Sequence, residues 1–152
     1  MSRQHAPAFA WRDPQLYLVI AGTVVVGLGL WLLLAPGYAR PIVADPWRLL
    51  AILLLYPVVE EWVFRGVLQG ELLSYSRWRR THLGLTRANL LTSLLFAAMH
   101  LVHQPPLWAL AVVAPSLVLG HFRERYDGLR MPIALHILFN TVYVLAGLAP
   151  GS

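Results

Sequence analysis

Between Trp47 and Leu73 the chain carries Glu60, Glu61 and Arg65 inside a run that is otherwise apolar enough to enter a bilayer. On insertion scales one charged side chain at mid-membrane costs about 2.5–3.5 kcal/mol. Three in six residues require a compensating environment, and the rest of the chain reads as the housing that supplies it. Lipid offers backbone groups no hydrogen-bond partner, so the housing must be helices or a closed barrel. The weak alternating strands of a barrel are not present in this sequence.

The surrounding composition agrees. Of 152 residues, 58% are hydrophobic and 12% charged, with a mean hydropathy of +0.60. Soluble domains carry about 25% charged residues. Several apolar runs approach the ~20 residues that cross a hydrocarbon core. The expected fold is therefore all-α, a polytopic transmembrane bundle of about five helices. There is no cysteine, which excludes disulfides, thiol catalysis and thiolate metal sites. The net charge of +5 comes from arginine without lysine, and in such a chain it is first a topology signal.

Residues 1–46 read as an N-terminal tail, a first span over 16–35 and a loop with Pro36-Gly37, Pro41 and Pro46. That span is longer than the apolar core of a cleavable signal. The second helix runs from Trp47 to Leu73, with Pro57 expected to kink it just before the carboxylates. Ser74 to Arg87 reads as a basic loop. The third helix covers Ala88 to about His103, the fourth Leu107 to His121, a charged turn Phe122 to Arg130, and the fifth Met131 to Ala149. Nine arginines (3, 12, 77, 79, 80, 87, 123, 125 and 130) then share one side, which predicts a cytoplasmic N-terminus and an external C-terminus. The basic loop is expected to act mainly as a topology determinant, with anionic lipid or an acidic substrate tail as the alternative.

Three predicted helices each hold one polar patch. On an α-helix Glu61 and Arg65 are i,i+4 neighbours and can pair. Glu60 lies about 140° away from Arg65 and points elsewhere, where it can bind water as a general base. Phe96 and His100 form a second i,i+4 pair, and His136 and Asn140 a third. The last two suit donors to a developing oxyanion, with interhelical hydrogen bonding as the structural reading. His103 and His121 are expected near the interface. If the patches converge, a set without serine or cysteine favours attack by water. Straight helices would leave the patches roughly 10 Å apart in depth. Tilt, the Pro57 kink or a re-entrant segment must close that gap.

Glu60-Glu61-x-x-x-Arg65, Phe96-x-x-x-His100 and His136-x-x-x-Asn140, in this order, resemble the three motifs of the CAAX protease and bacteriocin-processing family (CPBP, or ABI) of glutamate intramembrane proteases. That family includes the prenyl-protein CAAX endopeptidase. The similarity covers about residues 47–145, so 47–149 is expected to form a catalytic core of about four helices. The resemblance implies Glu60 as the water-activating base with His100 assisting. It implies Glu61 and Arg65 as support, and His136 and Asn140 as the oxyanion hole. No cofactor and no metal are implied. The implied partners are the lipid bilayer and a membrane-anchored protein or peptide cut near its C-terminal end, with no nucleic acid. The implied location is the bacterial inner membrane. The chain is little longer than the family core, which suggests a homo-oligomer or accessory subunit. It also points to members that process C-terminal sorting signals, the JDVT-CTERM type among them. Two rival functions are a zinc metalloprotease using Glu60, His100 and His136, and a non-enzymatic bacteriocin-immunity or scaffold protein that retains the motifs.

Overall fold

The computed structural model of the chain describes residues 12–38 and 45–146, with only the backbone described at Trp31 and at 33–38. Residues 1–11, 39–44 and 147–152 lie outside the described part. So do Arg3, Arg40, most of the predicted first loop and the predicted end of the fifth helix. Five helical courses appear among the described residues. Helix α1 is Pro14–Tyr38. Helix α2 covers 46–74, α3 is Arg87–His100, α4 is Pro106–Tyr126 and α5 is Arg130–Leu145. Contacts divide the chain into two compact units, residues 1–57 with 134–152, and residues 58–133.

The helix starts follow local chemistry. Asp13 Oδ1 accepts from the Gln15 amide ahead of Pro14. Asp45 Oδ1 accepts from the Trp47 amide at 2.9 Å, with Pro46 at the first helical position. Thr86 Oγ1 accepts from the Asn89 amide at 2.9 Å to start α3. Each cap satisfies one of the amides a helix start leaves without a partner.

Helix α2 is not a regular α-helix. Its turns alternate: Pro46–Leu50 α, Ala51–Leu55 π, Tyr56–Glu61 α, Trp62–Leu68 π and Gln69–Ser74 α. In a π turn the amide bonds five residues back, as Tyr56 does to Ala51 and Gln69 to Phe64. Pro57 has no amide hydrogen to give, and the first wide turn lies immediately before it. Side chains from distant helices reach carbonyls in both wide turns. Asn140 Nδ2 donates to Ile52 O at 2.8 Å, and Arg123 Nε donates to Arg65 O at 3.2 Å.

In the first unit, Val144 of α5 packs with Leu49, Ile52 and Leu53 of α2. Gly27 of α1 sits so close to Val142 that a Cβ there would collide with the valine. In the second unit, Gly120 of α4 faces Asn89 of α3 with no room for a Cβ. Helix α4 is interrupted at Val112, where Pro115 removes the bond that would reach back to Ala111.

Three sequence expectations need correction. The charged turn at 122–130 is mostly helix, since α4 continues to Tyr126 and only then turns through Asp127, whose φ is 47°. Helix α1 runs through Pro36-Gly37 to Tyr38 and does not stop there. The loop after α2 holds a small antiparallel hairpin, β1 (Thr81–His82) against β2 (Leu85–Thr86), turned by Leu83 and Gly84 at φ 50° and 81°.

The chain is a membrane protein. Pro106–Tyr126 is long and apolar enough to cross a bilayer, and it meets that test alone among the described residues. Pro14–Leu30 and Arg130–Leu145 are shorter apolar stretches. At 14 residues α3 reaches about 21 Å, short of a hydrocarbon core of ~30 Å. Exposed Leu18, Val25, Val26 and Leu28 on α1 make an apolar surface that suits lipid.

Candidate active site

Glu61 and Arg65 are both fully buried and joined at 2.9 Å, Arg65 Nη1 donating to Glu61 Oε1. Burial of an ion pair is tolerable only when further hydrogen bonds satisfy the remaining donors. Here α4 supplies them. Arg65 Nη2 donates to Ser116 O at 3.0 Å and to Ser116 Oγ at 2.7 Å. The guanidinium also lies 4.6 Å above the centre of the Phe96 ring, within cation–π range.

Phe96 links this pair to the second motif. Its ring meets Phe64 edge-on at 5.0 Å and His100 at 4.7 Å. His100 ends α3 and is half-buried. Its Nδ1 lies 2.8 Å from Phe96 O. A carbonyl oxygen only accepts, so Nδ1 carries the hydrogen. In the neutral ring Nε2 is then the bare nitrogen that can take a proton.

Glu60 is half-buried, in contrast to Glu61. It lies near enough to Arg65 to interact with it electrostatically, as Glu61 does more strongly. The 140° separation expected for a regular helix does not apply, because the π turn starting at Trp62 widens the path between Glu60 and Arg65. The two carboxylates still differ: one is sealed into an ion pair, the other retains solvent access.

His136 and Asn140 stand one turn apart on α5, in the other unit. His136 is buried, and Asn140 is half-buried with Nδ2 on Ile52 O. Among the described residues no three His, Cys, Asp or Glu side chains gather closely enough to hold a metal ion. The zinc arrangement of Glu60, His100 and His136 therefore has no ligand cluster to rest on.

Sequence reasoning missed a second polar layer. Gln69 Nε2 donates to Gly120 O at 3.1 Å and to Glu124 Oε1 at 2.7 Å. Thr86 Oγ1 donates to the same Glu124 oxygen at 2.6 Å. Asn89 Nδ2 donates to Leu117 O at 2.9 Å, and Ser93 Oγ donates to Asn89 Oδ1 at 3.1 Å. This layer ties α2, α3 and α4 together one to two turns from the Glu61–Arg65 pair. Its signal in the sequence was the set of isolated polar residues on apolar helices, each a bridging candidate in lipid.

Comparison with known proteins bears on the same residues. Residues 42–142 match the family model described as Rce1-like, type II CAAX prenyl endopeptidase Rce1-like. An uncharacterized 24.3 kDa protein of Escherichia coli is 33% identical over 99 residues, covering 65% of this chain. The match takes in 43% of that relative, so the chain spans less than half of the relative's length. No solved structure matches.

Proposed function

The chain belongs to the Rce1-like family, and on that premise we propose that it is an intramembrane endopeptidase of the glutamate type. What supports this reading most is the contact chain from the Glu61–Arg65 pair through Phe96 to His100, which sets the first two motifs side by side. In the proposed reaction Glu60 takes a proton from water, with His100 Nε2 assisting. The hydroxide adds to the scissile carbonyl carbon. His136 and Asn140 donate to the resulting oxyanion. Collapse breaks the C–N bond, and the proton held by the glutamate–histidine pair passes to the departing amine.

The substrate is a membrane-associated protein or peptide, cut near its C-terminal end. Within the family, the finer assignment is processing of C-terminal sorting signals, the JDVT-CTERM type included. The arginine distribution supports a cytoplasmic N-terminus in a bacterial inner membrane.

The deciding experiment uses the full chain in liposomes with a quenched, lipid-anchored peptide library. Glu60→Gln should lower turnover by about 10²–10⁴-fold in protein that still folds cooperatively. Cleavage at the wild-type rate by that variant would sink the proposal. Loss of the biological effect only when the protein level falls would instead favour a scaffold.

A further inference from the structure

Asn140 has a bond that the oxyanion role does not explain. Its Nδ2 donates to Ile52 O at 2.8 Å, across 88 residues of sequence and within one compact unit. Ile52 lies in the wide turn Ala51–Leu55, where Tyr56 bonds five residues back to Ala51. The next bond in that pattern would run from residue 57 to Ile52 O. Residue 57 is proline and has no amide hydrogen. Asn140 therefore donates to the carbonyl that Pro57 leaves open. Pro57 is itself buried, so water does not readily take the place of the amide.

From this we infer that Asn140 is a positioning residue for the wide turn Ala51–Leu55 of α2, and that Ile52 O in turn orients Asn140. The first half is structural. Pro57 sits at the start of the α turn Tyr56–Glu61, and the bond from α5 fixes the carbonyl one turn ahead of it. The second half concerns chemistry. A side-chain amide can present either its oxygen or its nitrogen, and only the nitrogen donates. A carbonyl oxygen can accept only from the nitrogen, so the Ile52 contact sets the amide with Nδ2 toward α2. One hydrogen of Nδ2 is used there, and the other stays available for a substrate oxyanion. This second half rests on the endopeptidase reading; the first does not.

The test is a double-mutant cycle on the full chain in detergent micelles, with Asn140→Leu and Pro57→Ala made singly and together. Alanine at 57 restores an amide, so the helix can satisfy its own carbonyls. Asn140→Leu alone should lower the unfolding midpoint by about 2–4 °C, the worth of roughly one hydrogen bond in a chain of this size. In the Pro57→Ala background the same change should cost about half of that or less. Equal costs in both backgrounds overturn the positioning role. If Pro57→Ala does not fold, Asn140→Asp carries the test. It keeps the shape, loses the donor, and sets a carboxylate against Ile52 O. An unchanged midpoint at pH 7 overturns the inference.

Turnover separates the two halves. Pro57→Ala that folds should lower kcat several-fold with KM little changed, because the Asn140 amide loses its fixed orientation. An unchanged kcat overturns the orienting role. Absence of any cleavage by the wild-type protein overturns the endopeptidase reading and leaves the midpoint cycle to judge the brace by itself.

Discussion

The Arg65 guanidinium and the Glu61 carboxylate meet at 2.9 Å with neither side chain open to solvent. The pair is held from three directions, by α2 itself, by Ser116 of α4 and by the Phe96 face of α3. It thus anchors three helices of one unit through a single cation. Removing that cation takes from a buried carboxylate the counter-charge it meets at 2.9 Å. Arg65→Met should cost about 3–5 kcal/mol, measured by unfolding in micelles. The double variant Glu61→Gln with Arg65→Met should cost clearly less than the sum of the singles, because each single change already loses the one ion pair at 2.9 Å.

Glu60→Gln and Glu61→Gln should separate cleanly. The first is expected to lower cleavage by about 10²–10⁴-fold with the smaller loss of stability, because Glu60 is half-buried and interacts with Arg65 less strongly than Glu61 does. The second should lower stability by about 1–3 kcal/mol through the weakened bond to Arg65. Paired melting curves and cleavage assays on the two variants check this.

Gly120→Ala should destabilise by about 1–3 kcal/mol, because its Cβ meets Asn89 Oδ1 on the facing helix. Gly22→Ala should be neutral or slightly stabilising, since nothing stands within 4 Å of the new methyl and alanine favours helix. Adding Asn89→Ser to Gly120→Ala should recover part of the loss. Thermal unfolding of these variants beside the wild type measures it.

Glu124 holds the base of the hairpin by accepting from Thr86 at 2.6 Å while also holding Gln69 of α2. Glu124→Ala should release both donors. Amide exchange over 81–87 should then speed up by about tenfold or more, the equivalent of about 1.4 kcal/mol. Thr86→Val should produce a similar gain, with the added loss of the α3 cap. Mass-detected hydrogen exchange reads both.

Cleavage should persist after metal is stripped and its removal verified by elemental measurement. A rate that falls with metal removal and returns on adding zinc would replace glutamate-activated water with a metal mechanism.

Much of the site was legible because its motifs repeat at helical spacing. The i,i+4 rule alone paired Glu61 with Arg65 and Phe96 with His100, and both contacts are present. The polar layer around Glu124 was not legible. Arg123, Glu124 and Asp127 looked like a solvated turn, yet Arg123 and Glu124 are bonded to Arg65 O, Gln69 and Thr86 and keep the helix going. Local charge marks a turn only when no distant donor or acceptor claims it. The hairpin was hidden for a different reason. Leu83 adopts a left-handed conformation that leucine seldom takes, and Leu-Gly is a weak turn signal beside Asn-Gly.

The wide turns of α2 have a consequence for helical phase. Each holds the chain back by about one residue, so the side chains beyond it are rotated by roughly 100° relative to an unbroken helix. A wheel drawn at 3.6 residues per turn through 58–74 therefore places Gln69 on a side it does not occupy in the folded chain. Deleting one residue from Trp62–Leu68 would rewind the helix and swing the Gln69 amide away from Gly120 and Glu124 by that angle. For this stretch, the length of chain between two positions matters as much as which residues fill it.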